Sequence, residues 1–155
     1  MLVKVSLEVE SIYRRWKQSD MNCAKLAEGI ANPYGFNGCI LLTSDKHMSE
    51  LNHYWRRNKK PTNVLSFQSL LVDSMDFNKK YLGDVALGFE TVNKEAVIMK
   101  TKRANHVAHL VIHGILHLMG FSHKKIRQTI QMQREEIRLL NLIGVNNPYL
   151  SNKNG

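Results

Sequence analysis

The stretch "HGILHLMGFSH", residues 113–123, holds three histidines with three and then five residues between them. On a helix His113 and His117 stand one turn apart on one face, close enough to chelate one ion. Gly120 suits the position just past a helix end, so the chain can turn there and return His123 to the same point. Three neutral imidazoles around a tetrahedral ion leave one position open, which is the arrangement of a catalytic rather than a structural zinc site. The spacing is analogous to the helical HExxH signature, yet Gly114 stands where zinc proteases place their glutamate base. Chemistry at such a site must rest on the ion, which lowers the pKa of bound water from about 16 to about 7 or polarises a phosphate oxygen.

Five of the seven histidines fall between residues 106 and 123. His109 is one turn before His113 but two turns from His117, so those three cannot meet at one ion on a straight helix. His109 is therefore expected behind a ligand or in the cleft, and His106 at the surface. Val107, Leu110, Val111, Ile112, Ile115, Leu116, Leu118 and Met119 make the helix apolar nearly all round, which demands burial. Imidazoles in such surroundings are costly unless their nitrogens are satisfied, and a metal satisfies them. Gly114, without a side chain, allows close packing at a helix-propensity cost of about 1 kcal/mol.

The elements that position this helix can be read on either side of it. Val3, Val5, Leu7 and Val9 alternate with polar residues as a half-buried strand. Residues 12–30 have helical character, with Ile12, Trp16, Leu26 and Ile30 as core candidates, and "NPYGFNG" is a turn. "CILLTS" reads as a strand buried on both faces. A helix follows from an N-cap at Ser44 or Asp45 and is broken by Lys59, Lys60 and Pro61. "TNVLSFQ" is a strand, 69–80 a loop, "YLGDVALGFE" a strand, and 91–99 a helix. The histidine helix spans 103–119. The last helix, 126–142, points Ile126, Ile130, Ile137 and Leu140 inward, and the tail after Pro148 is loose. Four strands and about five helices predict an α+β fold, a small mixed sheet packed with helices, with the metal site at the end of a central buried helix.

With 155 residues and 43% hydrophobic composition the chain fits one domain over 1–150, a single metallohydrolase unit, with 151–155 a flexible tail. No apolar run approaches a membrane span, and the N-terminus lacks the greasy core of a signal peptide, so a cytoplasmic protein without membrane contact is expected. Cys23 and Cys39 have no ligand spacing and are read as reduced core residues, with no disulfide-linked partner. The formal charge of +9 favours a polyanionic partner through phosphate contacts.

The three-histidine stretch resembles the signature H-G-x-L-H-L-x-G-[YF]-D-H of the YbeY family, bacterial endoribonucleases of ribosomal RNA maturation. "ELNHYWRRNKKPTNVLSF" and "YLGDVALG" are similar to two further motifs of that family, in the same order, so the likeness covers most of residues 45–123. The resemblance implies one Zn²⁺ per chain held by His113, His117 and His123, and Arg56 as the catalytic arginine facing the cleft. It also implies a single-strand-specific endoribonuclease acting in 16S rRNA 3′-end maturation and ribosome quality control, with the small ribosomal subunit as partner. Two departures stand out: Ser122 replaces an aspartate, removing a carboxylate from beside the third ligand, and Gln68 replaces a proline.

Arg56 suits a phosphate because a guanidinium makes bidentate contacts to charge developing on its oxygens. Arg57, Lys59 and Lys60 follow it, while Lys100, Lys102, Arg103, Lys124, Lys125 and Arg127 bracket the metal helix; on one face they would form a track for an RNA backbone. Asp84, expected on the strand face of Leu82 and Ala86, is read as holding a ligand histidine or a loop, and Ser122 as orienting a neighbour. Asn63 and Ser66 organise strand or turn. Two other classes remain open: a peptidase-like metallohydrolase, against which Gly114 counts, and a non-catalytic zinc-containing ribosome-binding protein.

Overall fold

A computed structural model of the chain describes residues 7–68 and 81–150. Four strands and five helices follow in the order β1 (Leu7–Ser11), α1 (Gln18–Ala31), β2 (Asn37–Thr43), α2 (Asp45–Arg56), β3 (Val64–Gln68), β4 (Tyr81–Gly88), α3 (Phe89–Ile98), α4 (Arg103–Leu118) and α5 (Ile126–Leu142). The sheet order is β1-β2-β4-β3. β1 and β4 both run parallel to β2, whereas β3 is antiparallel to β4, so the sheet is mixed and the fold is α+β. The expected strand residues Val3 and Val5, the 69–80 loop and the 151–155 tail lie outside the described residues.

Two apolar layers hold the sheet. On one face α4 is sealed beneath α1, with Val107, Val111, Ile112 and Ile115 fully buried against Ile40, Leu42, Val85 and Leu87. On the other face α2 covers a smaller cluster of Met48, Leu65 and Ala86. Ser44 is the N-cap of α2, and its hydroxyl accepts the His47 N–H at 3.2 Å.

The structure departs from the sequence reading where apolar residues compete for burial. Trp16 is buried, but Ile12 and Leu26 are exposed. Helix α1 begins only at Gln18 and presents Ala24, Ala27 and Ala31, whose small side chains let it lie close to α4. On α5, Leu140 is buried and Ile137 half-buried, whereas Ile126 and Ile130 are exposed; the inward face is Met132, Glu136, Leu139 and Leu140. In β4 the register slips between Asn37 and Gly38 of β2, leaving Leu82 as an extra residue. That bulge sends Leu82 into the α4-side core while Ala86 packs under α2, so Asp84 does not share a face with both.

Candidate metal centre

Helix α4 carries the first two histidines and its end delivers the third. Gly120, at φ +102°, donates its N–H to His117 O at 3.0 Å, and Phe121 N–H reaches Leu116 O at 3.0 Å. This pair of bonds is a Schellman closure, which needs a left-handed residue and finds a glycine there. The chain then reverses, and the Thr129 hydroxyl in the first turn of α5 donates to His123 O at 3.1 Å. One ring nitrogen each from His113, His117 and His123 consequently lies within 4.8 Å of the others. The predicted trio is assembled.

The hydrogen bonds around these rings decide which nitrogens are free. His113 Nδ1 lies 2.5 Å from Glu136 Oε1, and His117 Nδ1 lies 3.0 Å from the carbonyl of Phe121. Both partners are acceptors, so both Nδ1 atoms carry the proton, leaving bare lone pairs on the Nε2 atoms. Those two Nε2 atoms face each other at 3.0 Å. Two acceptors so placed repel unless a cation sits between them, and ligands of one tetrahedral zinc stand about 3.3 Å apart. The donor set therefore fits a divalent ion of borderline softness. Burial lowers the pKa of His117, helped by the neighbouring His113 ring, so it stays neutral and able to ligate at ordinary pH.

Glu136 is the residue that sequence reasoning missed. It is fully buried, and it reaches His113 from α5 while the Tyr149 hydroxyl donates to its other oxygen. His109 Nε2 is 3.2 Å from that hydroxyl and 3.6 Å from Glu136 Oε2. Burial pushes the carboxyl up, but the nearby His109 ring and the hydrogen bonds from His113 and Tyr149 outweigh it and bring the pKa to about 2. A carboxylate here orients the His113 ring and fixes its proton on Nδ1. The available signal was an acidic residue in register with Met132, Leu139 and Leu140 on one helical face. Tyr149 also corrects the expectation of a loose chain from Pro148 onward, since its hydroxyl ties that segment to the core.

The other expected residues separate into those at the cleft and those away from it. An open cleft of about 990 Å³ contains the histidines together with Arg56, Ser66, Ser122 and Lys124 on its walls. Arg56, the last residue of α2, donates from Nη2 to Ser66 O at 3.1 Å. Arg57 closes that helix in the left-handed region at φ 54°, and the Lys59 and Lys60 carbonyls accept from Ser49 and Asn52, which shapes the turn between α2 and β3. Ser66 Oγ donates to Gly114 O at 3.0 Å, locking β3 to α4. Asn63 caps the same strand and holds Glu95 at 3.0 Å. Ser122 Oγ accepts the Lys124 N–H rather than contacting a ligand ring.

Three readings are corrected. Asp84 lies in a neighbouring groove on the α2 face, where the Tyr81 hydroxyl donates to it, and does not line the histidine cleft. His106 is no surface residue: it is 5% exposed and pairs with Glu95 at 3.0 Å. Arg103 cannot serve a phosphate track, because its guanidinium grips buried Asp20 at 2.9 Å, Asn93 at 3.0 Å and the face of Phe89. Lys102, next to it, is the N-cap of α4, about 17 and 22 Å along the helix from His113 and His117. Lys125 precedes α5 beside the cleft wall residue Lys124.

Gly114 packs tightly against the sheet. A Cβ there would stand 2.7 Å from Val85 Cγ1 and 3.0 Å from Ser66 Oγ.

Together, a mixed α+β scaffold and a convergent trio of imidazoles in a cleft with an arginine define an α+β protein with a solvent-open site whose donors fit a metal ion. Comparison with known proteins makes the assignment specific. The family model "Endoribonuclease YbeY" matches residues 4–144, and the chain belongs to this family of hydrolases. It is 39% identical over 110 residues to an endoribonuclease YbeY of Bartonella quintana, covering 71% of this chain and 70% of the relative. To that of Colwellia psychrerythraea it is 39% identical over 126 residues, covering 81% and 80%. The solution structure of a Thermotoga maritima protein superposes with a TM-score of 0.57 at 20% identity, over 96% of this chain and 99% of that one, a likeness of fold. No helix among the described residues is long and apolar enough to cross a membrane.

Proposed function

We propose that this chain is a Zn²⁺-dependent endoribonuclease that cuts single-stranded ribosomal RNA, working as one metallohydrolase domain over residues 1–150. Maturation of the 16S rRNA 3′ end and ribosome quality control in the cytoplasm, on the small subunit, are the settings proposed for it. The observation that carries the reading is the pair of proton-free Nε2 atoms held 3.0 Å apart in an open cleft with an arginine on its wall. Endoribonuclease is also what its relatives are called.

Bound by His113, His117 and His123, a divalent ion supplies Lewis-acid activation of a phosphate oxygen or of the attacking hydroxyl. Glu136 keeps the His113 proton on Nδ1, and the Phe121 carbonyl does the same for His117, so both rings present lone pairs. Arg56 spends one N–H on Ser66 O, which aims the guanidinium across the cleft and leaves its other donors for phosphate oxygens. Lys124 also lines the cleft and adds attraction for the RNA backbone.

Protein stripped with a chelator should lose cleavage of single-stranded RNA and regain it with Zn²⁺. Activity that survives complete stripping, or cleavage of peptides in place of RNA, would refute the reading. Affinity for RNA should fall steeply with salt, as phosphate contacts require.

A further inference from the structure

Beside the histidine cleft a second groove, of about 930 Å³, opens on the α2 face of the sheet. Leu41, Leu51, Trp55, Phe67, Tyr81 and Ala86 are among its lining residues. Arg56, Ser66 and Gln68 line both spaces, so the two are adjacent, with these three residues at their common border. Trp55 is 53% exposed and Tyr54 77% exposed, although large aromatic rings are among the side chains folding most favours covering. Trp55 meets Tyr54 edge-on at 5.2 Å between centroids and Phe67 at 5.7 Å, so its ring is propped by neighbours rather than free to swing. The same run, "YWRRNKK", sets four exposed cations, Arg56, Arg57, Lys59 and Lys60, directly after the two rings.

This combination has a specific chemical complement. Apolar rings accept flat aromatic faces, cations beside them accept phosphates, and the Asp84 carboxylate in the groove repels phosphates from the apolar side. An acidic protein face would pair the cations but set its carboxylates against Asp84, and a lipid chain would bury Asp84. An unpaired nucleotide satisfies all of them, with its base in the groove and its phosphate at Arg56. We propose that this groove is a base-stacking subsite of the RNA strand, seating one or two unpaired nucleobases against Trp55 next to the phosphate held in the histidine cleft. The assignment rests on the endoribonuclease reading above and extends it to why unpaired strands are selected: a base in a duplex is already stacked and cannot enter.

The test uses the metal-loaded protein and two single-stranded RNA oligonucleotides, one intact and one with abasic riboses around the cut. Trp16 is buried with its indole N–H bonded to Thr43 O, so Trp55 is the tryptophan whose emission a stacked base can quench. On mixing, intact RNA should quench emission and abasic RNA should not. Trp55→Leu should raise KM about tenfold while kcat stays within about twofold, in line with the value of one stacked base. Trp55→Tyr should restore most of it. Abasic RNA should weaken the parent by a similar factor and cost Trp55→Leu nothing further. Equal quenching by both RNAs, or an unchanged KM in Trp55→Leu, overturns the subsite. So does a Trp55 signal that follows protein concentration instead of RNA, which would assign the groove to a second copy of the chain. If Trp55→Leu melts early, the intact-versus-abasic comparison on the parent still decides. A parent that cuts no RNA refutes the nuclease reading instead, and the quenching arm remains readable without cleavage.

Discussion

The two halves of helix α4 use the same side chain to opposite ends. In the first half, His106 and His109 are 5% and 9% exposed, and each spends Nε2 on a protein partner, Glu95 and Tyr149 respectively. In the second half, His113 and His117 spend Nδ1 on a partner and turn Nε2 toward a cleft. Each half carries two histidines about one turn apart, three residues in the first and four in the second. What separates a packing imidazole from a ligating one is which nitrogen the surroundings claim and whether the other meets open space.

That contrast can be broken most severely from the open half. His117→Ala should abolish stoichiometric Zn²⁺ and reduce RNA cleavage by at least about two orders of magnitude, because loss of an outer partner alone costs about 10–100-fold. Elemental analysis with a cleavage assay checks both. Glu136→Gln removes the charge that holds His113 while keeping its shape. Zinc affinity, measured by chelator competition, should fall about 10–100-fold, and excess Zn²⁺ should restore cleavage.

The closed half should answer differently. His106→Leu leaves Glu95, among the described residues, with Asn63 as its remaining side-chain partner, so the protein should lose about 1–3 kcal/mol of stability in a denaturant melt. Its zinc content and its cleavage per bound zinc should match the parent. Metal loss in this variant would erase the distinction between the halves.

The smallest effect concerns pH. Burial lowers the pKa of His106 below the usual 6.5, against the opposing pull of its bond to Glu95. Below about pH 6.5 the unfolded chain takes up this proton before the native chain does, so acidification favours unfolding. Stability should fall with pH in that window by up to about 1.4 kcal/mol per unit from this group, and the group adds no slope above it. Metal-free protein melted between pH 7.5 and 5 should show a shallower slope in His106→Leu than in the parent.

The imidazole trio was legible because ligand spacing on a helix and a terminating glycine are local facts. The same holds for the Ser44 cap and the limits of α4 and α5. Glu136 and Tyr149 were not legible, because their partners lie 13 to 40 residues away along the chain, beyond the reach of any local pattern. Counting only apolar residues turned α5 toward Ile126 and Ile130. In the protein the rotation is set by a charged side chain that must reach His113, and no hydrophobicity pattern encodes that demand. The bulge at Leu82 was hidden for a similar reason, since a strand's alternation looks uninterrupted until its neighbour reveals the slip.

The tight contact at Gly114 carries an evolutionary consequence. A scaffold with a helix-borne imidazole pair looks a single replacement away from a peptide-cutting enzyme, but here the packing between layers opposes it. Any carboxylate rooted at that position would have to displace the buried Val85 side chain and the Ser66 hydroxyl that ties the helix to the sheet. Conversion to proteolysis would thus demand rebuilding an interlayer gap, not exchanging one residue.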